Sequence, residues 1–383
     1  MVIIMINIAK MFGWLNYMKY EEMANITANM FKNSNENEVN VYLDLGSMTD
    51  GLYGNIVERS NDPTELTAVV INLAAHIRAY FRSVHSVYAT VFLVYSSNNW
   101  SILKNVCKEY NSNNNKDSKK YMNKYIKDSM SIAEQICYYI PNVYFINSNA
   151  ECGAVIYSTI LKERLNGNNH PNIIFTKEYN LLQIPTIDNN SVIYYKQAMY
   201  RSKVCFGINK DNAMEQYIKL TKRYNPVFAD PDAMVYVQLL GDDISKAKFI
   251  SKSKRMEHLG RILKVFDSRL LSYFIALTNL PSRGLKYVLS WSTAMEVLYK
   301  LQNDYIDDAE WIYNNICYEA KIFNKIGYEE FINRYRCIDI RYQSMLYDQE
   351  HHKEYRIDLI NSNELKYLND HYFIKNYIDL NKF

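Results

Sequence analysis

The stretch NIIFTKEYNLLQIP, residues 172–185, decides the fold. Ile173-Ile174-Phe175 is an apolar run of strand length and reads as a buried strand. A polar patch, Thr176-Lys177-Glu178-Tyr179-Asn180, follows at once. Leu181-Leu182-Gln183-Ile184 then reads as a loop or short helix folding back onto the core. Open α/β sheets place their chemistry at the carboxyl ends of parallel strands. Glu178 and Asn180, two residues apart, are therefore the first candidate site residues.

Working outward, the segments on either side alternate in kind. VNVYLDLGS (39–47) reads as a strand running into a glycine turn, YATVFLVYSS (88–97) as a second strand, NVYFINS (142–148) as a third and SVIYYKQ (191–197) as one more. Between them, 62–84 has a proline at its start and apolar residues at helical spacing, and 129–140 and 151–166 also read as helices. Strands alternating with helices imply a mostly parallel, wrapped sheet. After about residue 210 the strand-like runs vanish and helical periodicity dominates. The fold class expected is α/β, followed by an all-helical C-terminal region. The boundaries expected are an N-terminal extension (1–37), the α/β domain (38–200), a helical region (201–270) and a helical C-terminal extension (271–383).

Composition suits a globular protein: of 383 residues 48% are hydrophobic and 22% charged. The formal net charge of +3 neither favours nor opposes a nucleic-acid partner, so only local clusters bear on that question. The 35 tyrosines, with few prolines and glycines, fit the coding bias of an AT-rich genome, phage-like or otherwise virus-encoded; a stacking surface for bases is the functional alternative. Cys107, Cys137, Cys152, Cys205, Cys317 and Cys337 form no CxxC pair and read as reduced thiols of an intracellular, cytoplasmic protein. The apolar start MVIIMINIAKMFGWL lacks a basic leader and a small-residue cleavage site, and no stretch reaches transmembrane length, so no membrane partner is expected. No P-loop, GxSxG or HExxH is present, and His351-His352 point to different faces of a helix.

Six short motifs stand in order: YLDLGS (42–47), FLVYSS (92–97), EYNSNN (109–114), ECGAVI (151–156), TKEYNLLQI (176–184) and YVQLLGDDISK (236–246). Taken together over residues 38–265, they resemble the flap endonuclease and 5′–3′ exonuclease family, a branch of the PIN-like nucleases. The resemblance implies two divalent ions about 4 Å apart, held by a ring of carboxylates, that clamp the attacking and leaving oxygens. Tested position by position, most of the ring is missing. Leu45 stands where the family has its first Asp, with Asp44 one residue early and expected on the other face of the strand unless a bulge intervenes. Ser96 replaces the second-strand acid, Asn111 and Asn114 replace the family's Lys and Arg, and Gly153 and Ala154 replace two Asp residues. Glu178 substitutes an acid with a longer arm, Asn180 is neutral, and Ser245 replaces the acid that follows Leu240-Gly241-Asp242.

Aligned acids remain at Glu151, Glu178 and Asp242, which are the candidate metal ligands, with Asp44 and Asp243 as near misses. Each has a structural alternative: Glu151 as an acid favoured by a helix dipole, Asp242 as an N-cap. Three scattered acids hold Mg²⁺ or Mn²⁺ weakly or not at all. The lost basic residues remove stabilisation of the developing charge.

Two basic clusters bear on binding. Lys246, Lys248, Lys252, Lys254 and Arg255 lie where the family grips duplex backbone. Lys119, Lys120 and Lys124, interleaved with tyrosines, lie where it has its strand-threading arch. Either cluster contacts phosphates without sequence preference or is a solvated surface.

The leading expectation is thus a catalytically inactive nucleic-acid-binding protein, for DNA rather than RNA, with a protein partner for its helical C-terminal region in a replication or transcription assembly. The alternatives are an active divergent nuclease using Asp44, Glu151, Glu178, Asp242 and Asp243, and an interaction protein that reuses the fold without nucleic acid.

Overall fold

The computed structural model describes residues 37–46, 62–96, 101–106, 120–196, 205–213 and 339–350, with Glu329, Asn333, Arg336 and Cys337. Six strands form one sheet: β1 (Glu38–Asp44), β2 (Tyr88–Ser96), β3 (Val143–Ser148), β4 (Asn172–Thr176), β5 (Ser191–Lys196) and β6 (Cys205–Ile208). The helices are α1 (Pro63–His85), α2 (Ser101–Val106), α3 (Lys120–Cys137), α4 (Cys152–Leu165), the single turn α5 (Ile184–Ile187) and α6 (Ile340–Glu350). The strand order is β3-β2-β1-β4-β5-β6. The first five strands run parallel and β6 closes the edge antiparallel to β5. The order reverses beside β1, between the β2 and β4 branches, which places the switch point of the sheet at the carboxyl ends of β1, β2 and β4.

The two faces of the sheet follow the period of two along each strand. Val39, Val41, Leu43 and Leu45 point to one side, where they join Val91, Leu93, Ile173 and Phe175 with residues of α1 and α3 in a single apolar cluster. On the other side the parallel register sets Tyr42 beside Phe92 and Phe92 beside Tyr144. These three rings stack across the strands at 4.7 and 5.1 Å between centroids.

Helix α1 starts where the sequence indicates. Asp62 accepts a hydrogen bond from the Thr64 backbone N–H at 2.9 Å, Pro63 opens the first turn, and Ser86 ends the helix in a left-handed conformation. Helix α3 packs against α1, with the Thr67 hydroxyl donating to the Ser129 carbonyl at 2.8 Å. It begins at Lys120, so Lys124 lies on a helix.

Helix α4 has no polar face. Its residues Cys152 to Ile160 are buried without a break. A helix buried all round needs cover on the side away from the sheet. Helix α6 supplies it, running alongside α4 in the same direction. Ile340 lies over Gly153, and at the other end Lys162 pairs with Asp348 at 2.9 Å while the Ser158 hydroxyl donates to the same carboxylate.

Candidate functional site

Three of the sequence-predicted acids stand at the carboxyl ends of the parallel strands. Asp44 ends β1, Glu151 is the N-cap residue of α4, and Glu178 follows β4. All three act electrostatically on the thiol of Cys152, in the first turn of α4. Asp44 and Glu151 are buried, and Glu178 is half-buried.

Asp44 corrects an expectation. It does not turn away from the site, and β1 needs no bulge: its pairing runs unbroken from Glu38↔Tyr88 to Asp44↔Val94. Leu45 instead enters the apolar cluster under α1 and α3. Asp44 therefore shares a face with Tyr42, on the side of α4. Its Oδ2 accepts from the Thr176 hydroxyl at 2.7 Å, and the Cys152 thiol also donates to it. Burial, then the charge of Asp44 and the bond to it, then Glu178 and Glu151, raise the Cys152 thiol well above its ordinary 9.0. The thiol is a protonated donor packed inward, as a structural cysteine would be.

Glu151 does not cap α4 with its side chain; its backbone carbonyl accepts from Val155 N–H at 3.2 Å. The carboxylate is left to the cluster rather than to the helix end. Glu178 is tethered through its backbone, its N–H donating to the Thr176 hydroxyl at 2.9 Å. Thr176 thus joins Asp44 to the Glu178 loop. Thr176 was not singled out from the sequence; its place at the end of a buried strand was the available signal.

The positions where the resembling family carries further acids have structural occupations here. The Ser96 hydroxyl donates to the Ala150 carbonyl and ties the end of β2 to the loop before Glu151. The Asn180 side-chain oxygen accepts from Gln183 Nε2 at 3.4 Å, and its backbone carbonyl accepts from the same nitrogen at 3.1 Å. Gln183 is fully buried and its Oε1 accepts from the Ile340 backbone N–H at 3.4 Å. A Cβ on Gly153 would lie 3.1 Å from Ile340 Cδ1 and 3.4 Å from Leu181 Cδ1. Gly153 and, through Gln183, Asn180 thus form part of the seat of α6.

A pair of divalent ions needs several carboxylates facing one point. Among the described residues no group of three His, Cys, Asp or Glu side chains is placed to hold a metal ion. The described residues therefore do not fit the two-ion ring that the resemblance implies. Asp242 and Asp243 lie outside the described residues, as do Lys119, Lys246, Lys248, Lys252, Lys254 and Arg255. Lys120 begins α3, and Lys124 and Lys127 are exposed along it.

No family model and no curated protein matches the sequence. Among solved structures, the chain is similar to a flap endonuclease of bacteriophage T5, in a pseudo-enzyme–product complex with DNA and metal ions. The TM-score is 0.50 at 8% identity, over 88% of this chain and 99% of that one. Two further T5 structures are similar: the same protein co-crystallised with metal ions (TM-score 0.49, 10% identity, 89% and 100% covered) and the 5′-exonuclease with zinc bound (0.47, 8%, 88% and 98%). The chain has the fold of the flap endonuclease and 5′–3′ exonuclease family.

Proposed function

We propose that this protein is a nucleic-acid-binding member of the flap endonuclease fold in which phosphodiester hydrolysis has been lost. The observation that carries this reading is the reassignment of the acid positions. Ser96 holds Ala150, Asn180 holds Gln183, and Gly153 makes room for Ile340. A carboxylate at 96 could not donate to the Ala150 carbonyl, and one at 153 would clash with Ile340, so restoring either would break a contact that now belongs to the core. The T5 neighbour was solved with DNA and metal ions, which supports DNA as the ligand class. The basic residues available for it are Lys124 and Lys127 on α3, Lys119 and Lys120 shortly before them in the sequence, and the 246–255 cluster. Such contacts neutralise phosphates without reading sequence. The setting we propose is the cytoplasm, in a replication or transcription assembly, with residues 271–383 docking a protein partner. No helix among the described residues is long and apolar enough to cross a membrane.

One observation favours a second reading. Asp44, Glu151 and Glu178 all stand close enough to Cys152 to act on its thiol, so any two of them, completed by Asp242, would offer oxygens to a single weakly held ion and support slow cleavage. Incubating the protein with end-labelled 5′-flap and nicked duplex DNA, in Mg²⁺ and separately in Mn²⁺, decides between them. The first reading expects no cleavage in either metal and binding that weakens with salt. Cleavage abolished by Glu151→Ala and by Asp242→Ala would overturn it.

A further inference from the structure

At the end of the sheet opposite the carboxylates there is a cavity of about 810 Å³. It is lined by Arg78, Arg82 and Ser83 of α1, Tyr88 and Thr90 of β2, and Asn142 before β3. The length of β1 separates it from Asp44 by about 20 Å. Its volume lies within the range of small-molecule sites. We infer that this cavity binds a nucleoside phosphate, with the phosphate between the guanidinium groups of Arg78 and Arg82 and the base against Tyr88.

Three features support the assignment. Arg78 and Arg82 are one helical turn apart and both line the cavity, so two guanidinium groups of like charge face one space. Arg78 is half-buried, and burial together with the charge of Arg82 pushes its guanidinium below its ordinary value. An anion in the cavity reverses that effect, and guanidinium forks match phosphate oxygens in geometry. Tyr88 is a large aromatic side chain left 61% exposed at the mouth, and Arg82 already lies 5.7 Å from its ring centroid. An aromatic ring and a guanidinium together suit a base attached to a phosphate. Ser83, Thr90 and Asn142 add hydroxyl and amide groups to the lining.

Two features weigh the other way. Glu38 also lines the cavity, but its carboxylate is engaged by His170 Nε2 at 3.1 Å. Arg82, in the last turn of α1, also complements the helix dipole. That role does not extend to Arg78, a turn further in, or to the exposed ring of Tyr88.

The test uses the full chain and isothermal titration with adenosine 5′-monophosphate, adenosine and inorganic phosphate. The monophosphate is expected to bind at least about tenfold more tightly than either fragment, because charge-assisted bonds and stacking act together. Arg82→Gln should weaken the monophosphate about tenfold. Tyr88→Ala should weaken the monophosphate and leave inorganic phosphate unchanged. Both side chains are exposed, and matching circular dichroism melts confirm that the variants fold. A monophosphate no tighter than inorganic phosphate, or binding indifferent to both substitutions, would overturn the proposal. A short single strand with a 5′-phosphate, and the same strand with a 5′-hydroxyl, then compete against the monophosphate. Competition by the phosphorylated strand alone assigns a strand end as the source, and competition by neither assigns the free nucleotide; both keep the proposal. Equal competition by the two strands overturns it. The cavity is remote from the carboxylates and from Lys124, so this outcome is independent of whether the protein cuts or binds DNA elsewhere.

Discussion

Gly153 stands where the resembling family carries an acid, and the space its side chain would need is already taken by Ile340. A Cβ at 3.1 Å from Ile340 Cδ1 is tighter than ordinary packing, and Ile340 is fully buried, so the neighbour has little room to give. Gly153→Asp should therefore leave hydrolysis absent and destabilise the fold by at least about 2 kcal/mol, through overpacking and a buried charge. Urea denaturation measures the loss, and an unchanged midpoint would contradict the account. Cys152 makes a second prediction at this scale. Its thiol is raised in the folded state, so folded protein keeps a proton that the unfolded chain releases. The stability linked to Cys152 is complete below about pH 9 and is lost as pH rises from there toward the folded value. Tyr157, pushed up to about 12 by burial and by Asp188 and Asp339 against the opposing Arg341, acts with the same sign above pH 10. Denaturation midpoints should fall between pH 9 and 10, and Cys152→Ala should flatten that fall.

Helix α6 and helix α4 are the elements on which the site is built. Ile340→Ala should cost about 2–5 kcal/mol, because a fully buried side chain leaves a cavity over Gly153. Asp348→Ala, at the solvent end of the same contact, removes a half-exposed ion pair with Lys162 and the Ser158 bond and should cost about 1 kcal/mol. Thermal melts of the two variants should rank in that order. The five parallel strands and helices α1 and α4 were legible in the sequence because their signals are local: apolar runs, a capped proline start, a polar patch after Phe175; α2 (Ser101–Val106) and the first half of α3, before residue 129, were not. The side on which Asp44 emerges was not legible, since it was inferred from alignment with a family motif rather than from the alternation of Tyr42, Leu43 and Leu45. The antiparallel strand β6 was missed because four residues, Cys205–Ile208, carry little period of their own. The docking of α6 was missed because it is a long-range contact. Its one local trace is the unbroken apolar surface of CGAVIYSTI, which calls for a cover on both sides.

At the scale of the whole molecule, binding to nucleic acid is a matter of how many phosphates the surface neutralises. Each contact to duplex DNA contributes about 0.9 to the slope of log affinity against log salt. Replacing Lys124 and Lys127 together by alanine should flatten that slope by about 2 and lower affinity on every sequence alike. A slope unchanged by the substitution would take α3 out of the interface and leave the 246–255 cluster as the remaining candidate. The recognisable fold and the unrecognisable site have one physical origin. A buried parallel sheet tolerates exchange among apolar residues of similar volume, so the scaffold motifs persist. A metal ring tolerates almost no exchange of its acids, so on the function proposed above its motifs would dissolve once positions such as Ser96 and Gly153 serve packing instead.

The seating of α6 on α4 also sets an order of events during synthesis. Ser158 and Asp348 are 190 residues apart, so at about 5–20 residues per second the ribosome needs roughly 10–40 s to deliver the cover after the helix it covers. Throughout that interval the side of α4 that carries Gly153 and Ser158 lacks the contacts that α6 makes. A nascent chain in this state presents an apolar helix to its surroundings, which makes the interval before residue 350 emerges the one in which a chaperone, or another copy of the chain, competes for the place of α6.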